Sequence, residues 1–457
     1  MKERILLFAI VFGLGVFIYI FQSYFNTVWG LAFILCGMTI YAMFTNLAYK
    51  IKKRRLEKHP EIINENYKPF VSIMIPSHNE ESVITETIEN ILALDYPNFD
   101  ILVIDDRSTD NTASVIKDLE KKYDKVTAFV RPKDAFPGKS AVLNDALPMT
   151  KGEAILVFDA DARVEKDFLS KLVPNLEPKD VGAVQAIKVI RNSDVNILTR
   201  CQNNEMTLDT HCQVGRDSVR GAVELRGNGE LIKRTALEDI GGWNNYTITD
   251  DLDMSTRLHI KGWDVRFCPD AIVYEEAIMY LMPLYRQRRR WLEGTIRRYL
   301  EYAGDILTSK DMSLRVSLDL VAYISEFIMP AWFLMELFIR AFKIIMKDAP
   351  TNTLYSSLII GAVIGLGFFL ATRYSLRRYD NIPRKESIIQ AFNTSIYLFI
   401  IWFPLVIFIG LKILFMKKDM NWGKTAHGLV QHEHAIQRAK EKIRQAKEEL
   451  KKLIRAK

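Results

Sequence analysis

Three short segments carry side chains suited to a phosphorylated substrate: Asp159-Ala-Asp161, Thr249-Asp-Asp251 and Gln287-Arg-Arg-Arg-Trp291. Carboxylates separated by one residue can both reach one hard cation, Mg²⁺ or Mn²⁺, and hold it against a diphosphate. A later, separate carboxylate can take a proton as a general base. Arginine offers a fork of donors to phosphate, and tryptophan an apolar face to a sugar ring. Lys139, in Pro137-Gly-Lys-Ser140 at the expected start of a helix, is a further cation for phosphates, although an ordinary exposed lysine has the same local sequence. A bare Asp-x-Asp is common by chance, so its weight depends on what positions it.

The elements that must do so alternate. Val71–Pro76 reads as a buried strand, followed by Ser77-His-Asn-Glu80 and a helical pattern from Glu81 to Ala93. Ile101–Ile104 is a second strand, running into Asp105-Asp106. Ser108, Thr109, Asp110 and Asn111 then suit the cap of a helix ending near Tyr123. Val126–Val130 and Ala154–Phe158 are further strands, the latter placed at the sheet's edge, with Asp159 immediately after it. Strands alternating with helices imply a mostly parallel α/β sheet whose ligands gather outside the carboxyl ends of its strands. The paired Asp105-Asp106 at such an end allows Asp106 to recognise a base or ribose.

The chain has 457 residues, 49% of them hydrophobic, enough for both a soluble core and membrane spans. Ile5 to Tyr49 contains no charge and can form a spanning hairpin turned at Asn26-Thr27. Lys2 and Arg4 resemble the start of a signal peptide, but no small-x-small cleavage site follows, and the hairpin is the reading retained. The basic run Lys50 to Arg55 then places the soluble part in the cytoplasm. Tyr355–Thr372 and Ser387–Leu411 are uncharged and long enough to span. Met312–Met346 carries Asp319, Glu326 and Glu336 and reads as an interfacial helix leading into a span around Phe327–Ile339. Two spans before and three after would leave the tail outside, whereas Lys417, Lys418 and Lys424 argue for inside. Pro404 offers a way out by breaking the last span, as does Met312–Met346 by not crossing. An apolar heptad at Ile436, Ala439, Ile443, Ala446, Leu450 and Leu453 fits a short coiled coil, a surface-lying helix or a solvated one.

The organisation expected is therefore a hairpin (1–50), a basic linker (51–69), a catalytic domain (70–275), an interfacial segment (276–311), a membrane region (312–416) and a basic cytoplasmic tail (417–457). Cys36, Cys201, Cys212 and Cys268 lack metal-site or redox spacing and read as small core residues of a protein in a reducing compartment. The net charge of +7 sits in membrane-flanking segments and the tail, which points to anionic headgroups and away from nucleic acid.

Pro76-x-x-Asn79-Glu80, Asp105-Asp106, Gly138-Lys139, Asp159-x-Asp161, Gly227-Asn-Gly229, Gly241-Gly-Trp243, Thr249-Asp-Asp251 and Gln287-x-x-Arg290-Trp291 occur in one order from Lys68 to Tyr302. In that order they resemble the inverting family-2 glycosyltransferases, whose membrane members include cellulose, hyaluronan and poly-N-acetylglucosamine synthases. Glu224-Leu-Arg-Gly-Asn-Gly-Glu230, Ile248-Thr-Asp-Asp-Leu-Asp253, Tyr274-Glu-Glu276 and Arg298-Tyr-Leu-Glu-Tyr302 look more like the bacterial β-glucosyldiacylglycerol synthases.

The resemblance implies a Rossmann-like nucleotide-diphospho-sugar transferase (GT-A) domain flanked by transmembrane helices. It implies Asn79, Glu80 and Asp106 on the uridine and Lys139 on the diphosphate. Asp159 would serve the nucleotide, and Asp159 and Asp161 the metal. Asp251 would be the catalytic base, and Gln287, Arg290 and Trp291 would line the acceptor end. Asp250 stands where polysaccharide synthases usually carry Glu, which favours the lipid branch. The implied partners are a UDP-sugar donor, a membrane lipid or growing glycan as acceptor, and the bilayer.

Overall fold

The computed structural model describes residues 2–21, 28–59, 64, 66–416 and 418. The expected turn at Asn26-Thr27, Lys417, Lys424 and the heptad from Ile436 to Leu453 lie outside the described residues, as does the side chain of Glu326.

Two long helices, α1 (Lys2–Phe21) and α2 (Val28–Lys58), precede an α/β domain. The domain runs β1 (Val71–Ser77), α3 (Ile84–Leu92), β2 (Phe99–Asp105), α4 (Thr112–Lys122), β3 (Val126–Val130), α5 (Lys139–Ala146), β4 (Ala154–Val157), β5 (Arg163–Val164) and α6 (Phe168–Leu172). It continues through β6 (Val181–Ile190), α7 (Ile197–Ser218), β7 (Glu230–Lys233), α8 (Arg234–Asp239), α9 (Asp250–Ile260) and β8 (Asp264–Glu275). Helices α10 (Leu281–Thr308), α11 (Leu314–Ile345), α12 (Leu354–Tyr379) and α13 (Arg384–Phe415) complete the described chain.

The strands form one sheet in the order β3-β2-β1-β4-β7-β6-β8-β5. Strands β3, β2, β1 and β4 are parallel, β7 is antiparallel to both of its neighbours, and β6 and β8 are parallel again. The first half is the nucleotide-type sheet expected from the alternation of elements. The strand before Asp159 is not at the sheet's edge, a correction to the sequence reading: β4 pairs with β1 on one side and β7 on the other. Its Ala154, Ile155, Leu156 and Val157 are all buried, as a strand covered on both faces and both edges requires. Successive residues of β1 feed opposite layers, Ile73 and Ile75 into one core and Met74 into the other.

Among the described residues, four helices are long and apolar enough to cross a membrane: Lys2–Phe21, Trp29–Lys58, Leu354–Tyr379 and Arg384–Phe415. Two elements differ from their sequence readings. Leu314–Ile345 is one uninterrupted helix, not an interfacial piece followed by a span, and its Glu336 is paired within the helix to Arg340 at 3.0 Å. Arg384–Phe415 stays helical through Pro404. Cys201 and Cys268 are buried as expected, whereas Cys36 and Cys212 are exposed. Cys36 lies on an apolar helix whose outer residues are largely uncovered, and Cys212 borders the cavity described next, so neither needs a packed core.

Candidate active site

A cavity of about 760 Å³ runs from the carboxyl ends of β1 and β4 to the space between α2, α11, α12 and α13. Its domain end is lined by Lys139, Asp159, Asp161, Asp250, Asp251 and Arg290, and its far end by Leu35, Met329, Ile364, Phe368, Phe403 and Val406. Charged groups and apolar walls thus share one continuous space.

Lys139 opens α5 and is the hub of the charged end. Its Nζ donates to Asp159 Oδ1 and to the carbonyl of Gly227, each at 2.8 Å, and lies 3.9 Å from Asp250 Oδ2. Burial acts to lower the pKa of this ammonium, but Asp159, Asp250 and Glu230 outweigh it and the group is held above its ordinary value. Burial likewise acts to raise Asp159, yet Lys139, then Lys188 and Arg290, hold its carboxyl below the ordinary range. Asp159 is therefore an anion with cations on several sides and part of its side chain open to the cavity.

Asp251 lies in the first turn of α9, where its Oδ1 accepts from the amide of Leu252 at 2.8 Å. Burial first, and the neighbouring Asp250 second, push its pKa up to about 6. Gly227 makes room for it: at φ +77° the backbone is left-handed, and a Cβ would stand 3.1 Å from Asp251 Oδ2. Gly294 on α10 makes room for Thr249 at the start of the same turn, since a Cβ there would fall 2.4 Å from Thr249 Cγ2. That close approach brings the helix carrying Gln287, Arg290 and Trp291 against the turn carrying Asp251. Asp253, by contrast, is spent on structure, accepting from Arg257, Tyr302 and Asn244 at 2.7, 2.8 and 3.1 Å.

On α10, Gln287, Arg290 and Trp291 all border the cavity. The Arg288 guanidinium stacks over the Trp291 ring at 4.1 Å and donates to Gln287 Oε1 at 2.6 Å. Glu80 borders the cavity and is buried. Asn79 and Asp106 are turned to architecture. Asn79 Oδ1 accepts from the amide of Thr109 at 2.7 Å, joining the loops after β1 and β2. Asp106 is buried, with Arg107 at 2.8 Å and Arg131 at 2.5 Å on its carboxylate. Of the residues expected to cap α4, Asp110 does so, its Oδ1 accepting from the amide of Thr112 at 3.0 Å, whereas Asn111 makes no side-chain cap bond.

Asp159 and Asp161 both border the cavity and are the residues that could hold a divalent cation. Among the described residues no group of three or more His, Cys, Asp or Glu is placed to do so. Two carboxylates suit Mg²⁺ or Mn²⁺, which takes one or two protein carboxylates and completes its shell with phosphate oxygens and water.

Lys188 and Glu230 were missed by reading the sequence. Lys188 extends from β6 to pair with Glu275 at 2.8 Å, with its Nζ 5.9 Å from the centre of the Trp291 ring. A lysine interrupting the apolar run of β6 was the available signal. Glu230 is fully buried on β7, neither carboxylate oxygen has a hydrogen-bond partner, and burial raises it well above the ordinary range.

Residues 69–294 match the family described as glycosyltransferase like family 2. A β-monoglucosyldiacylglycerol synthase of Nostoc sp. is 34% identical over 411 residues, 87% of this chain and 84% of that relative. A poly-β-1,6-N-acetyl-D-glucosamine synthase of Staphylococcus epidermidis is 28% identical over 284 residues, 61% of this chain and 68% of the relative. Among solved structures, the mannosyltransferase PcManGT from Pyrobaculum calidifontis, in complex with GDP-Man and Mn²⁺, superposes with a TM-score of 0.55 at 23% identity. That match covers 81% of this chain and 99% of the other and is a likeness of fold, the nucleotide-sugar transferase architecture expected from the motifs.

Proposed function

The chain belongs to glycosyltransferase family 2, and within that family we propose that it transfers glucose from UDP-glucose to diacylglycerol, with inversion, forming a β-glycosidic bond. One observation carries this reading. The cavity that holds Asp251 continues between the membrane helices with walls of Leu35, Met329, Ile364, Phe368, Phe403 and Val406, a lining that suits acyl chains better than the hydroxyls of a growing glycan.

In this scheme the acceptor hydroxyl enters from the membrane side and meets Asp251, which takes its proton as the oxygen attacks the anomeric carbon. A base with a pKa near 6 is largely ionised at neutral pH yet basic enough to accept that proton. Lys139 and Arg290 stabilise the negative charge that develops on the departing UDP. Asp159 and Asp161 would hold Mg²⁺ or Mn²⁺, which supplies Lewis-acid stabilisation of the diphosphate. Asn79, Glu80 and Asp106 shape the uridine end, Asn79 and Asp106 through the loops they tie. Gln287 and Trp291 face the acceptor.

The same reading assigns a topology. Lys52 pairs with Asp217 of the domain at 2.7 Å, so the basic flank of α2 and the domain share a side, which the positive-inside rule makes cytoplasmic. Helix α11 starts at the domain, where Asp319 meets Arg216, and ends beside the far ends of its neighbours, with Lys343 reaching the carbonyl of Tyr19 and Arg340 that of Thr353. Helix α13 meets the domain's side near both of its ends, while its Phe403 packs against Phe333 of α11. Thr394 meets Asn204, Lys412 meets Glu293, and the carbonyl of Met416 accepts from Arg4. In this reading α1, α2, α11 and α12 cross and both ends of α13 lie on the domain's side, which would return the chain to the cytoplasm in keeping with the basic tail.

The alternative, a processive β-polysaccharide synthase, draws on the similarity to poly-β-1,6-N-acetyl-D-glucosamine synthases. One experiment decides between them. Purified protein in vesicles containing dioleoylglycerol is given radiolabelled UDP-glucose or UDP-N-acetylglucosamine. Label extracted into organic solvent from UDP-glucose supports lipid transfer; label in precipitable glycan overturns it.

A further inference from the structure

Between the charged and apolar ends of the cavity lies a carboxylate, that of Glu205, to which no motif drew attention. It projects from α7, has a side chain only 12% exposed, and gathers three donors from two other helices. Arg288 Nη2 on α10 reaches its Oε2 at 2.6 Å. The hydroxyl of Tyr397 on α13 donates to the same oxygen at 2.9 Å, and Trp402 Nε1 to Oε1 at 2.9 Å.

Arg288 is fully buried and its remaining contacts are specific: one nitrogen donates to Gln287 and the guanidinium plane covers Trp291. It therefore fixes the rotamers of two side chains that border the cavity. Helix α13 supplies Leu398, Phe403 and Val406 to the apolar wall. Glu205 thus joins the wall on α13 to the motif on α10.

We propose that Glu205 is a positioning residue. It holds the apolar wall of α13 in register with Gln287 and Trp291, through Arg288, and so sets how well the acceptor is seated. Its three partners, Arg288, Tyr397 and Trp402, and Gln287 beyond Arg288, lie on α10 and α13, away from the pairing of Lys139 with Asp159. A charge-assisted bond between nearly buried partners is stronger than a neutral one, and the planar guanidinium makes the orientation specific. This inference rests on an acceptor that enters past Trp291, as in the proposed function.

The test uses the full chain in vesicles with dioleoylglycerol and UDP-glucose, and compares Glu205→Gln and Tyr397→Phe with the wild type. Label is counted in both the organic extract and the precipitate. Glu205→Gln keeps the shape and removes the charge; the acceptor KM is expected to rise roughly tenfold or more, the scale of a hydrogen bond to a charged group. Tyr397→Phe keeps the Arg288–Glu205 ion pair and removes one hydroxyl from the carboxylate, so a smaller rise, about threefold, is expected. In both variants kcat and the affinity for UDP-glucose should stay near wild type. An unchanged acceptor KM in folded protein overturns the proposal, as does a parallel loss of UDP-glucose affinity. If Glu205→Gln does not fold, Tyr397→Phe decides alone. A wild type that labels only the precipitate overturns the lipid reading, and the same KM comparison is then made on glycan.

Discussion

The two ends of the cavity are built in opposite ways. The charged end is assembled from short loops at the carboxyl ends of β1 and β4 together with the first turns of α5 and α9 and Arg290 of α10, and its side chains hold one another by ion pairs such as Lys139 with Asp159. The apolar end is assembled from long helices, α2, α11, α12 and α13, and is defined by shape, with single polar anchors such as Glu205 where helices meet. The difference teaches where each kind of change should act. At the charged end one atom carries charge development and its loss is felt in the chemical step; at the apolar end many contacts share the seating of the acceptor, and the loss of one is felt in KM.

The sharpest way to break the comparison is Asp251→Asn. The amide keeps the shape but cannot accept a proton, and a positioned general base is worth ~10²–10⁴-fold in rate. UDP-glucose binding, measured by titration calorimetry, is expected to survive. Near-normal turnover would move the base to Asp250, because Asp253 already accepts from Arg257, Tyr302 and Asn244.

Next in size is the cation. Asp161→Ala is expected to lose roughly 10²-fold in rate, the scale of removing one electrostatic stabiliser of a developing anion. Excess chelator should silence the wild type, and added Mg²⁺ or Mn²⁺ should restore it. Full turnover in chelator would assign the diphosphate to Lys139 and Arg290 alone.

At the border of the two ends, Trp291→Ala should lower transfer more than hydrolysis of UDP-glucose by water, with about a tenfold change in the ratio for the loss of a ring face. Arg290→Ala, in contrast, takes a cation from the departing UDP and should lower both reactions with membrane association kept. Tryptophan and arginine also anchor proteins at headgroup depth, and vesicle flotation separates that role. If transfer and hydrolysis fall together with membrane association, these residues are anchors.

The charged end was legible in the sequence because each of its parts is local. Asp159 and Asp161 lie one residue apart after an apolar run, Lys139 follows a Pro-Gly turn, and Asp251 sits in its own motif. Composition and the period of the pattern were enough to place them at strand ends and helix starts. The cross-sheet partners were not legible. Glu230 and Lys188 come from the mixed half of the sheet, whose order β4-β7-β6-β8 no local pattern encodes. Glu205 was invisible for the same reason: its partners lie at 288, 397 and 402, far away in the chain and on other helices. Contacts at helix ends, such as Thr394 with Asn204 and Lys343 with Tyr19, were likewise hidden, because hydropathy ranks segments by composition and does not record which distant residues a helix end meets.

The smallest expected effect concerns pH, and it tests whether Asp251 belongs to the charged end in its energetics as well as its position. Burial, and then Asp250, raise its pKa to about 6. A raised carboxyl pKa means that the proton is retained to higher pH, so the base is disabled as pH falls through 6; an ordinary carboxyl would stay ionised to about pH 4. The acidic limb of kcat/KM, which reports groups of the free enzyme, should therefore lie near 6. Between pH 7 and pH 6 the loss is only about twofold, growing to about tenfold for each further unit as the ionised fraction shrinks. Asp250→Asn removes the like charge and should move the limb to lower pH, whereas Glu205→Gln, outside the charged cluster, should leave it where it is. A limb near 4 in the wild type, or a limb that does not move in Asp250→Asn, would mean that Asp250 does not set the basicity of Asp251, and the charged end would then act as separate groups instead of one coupled cluster.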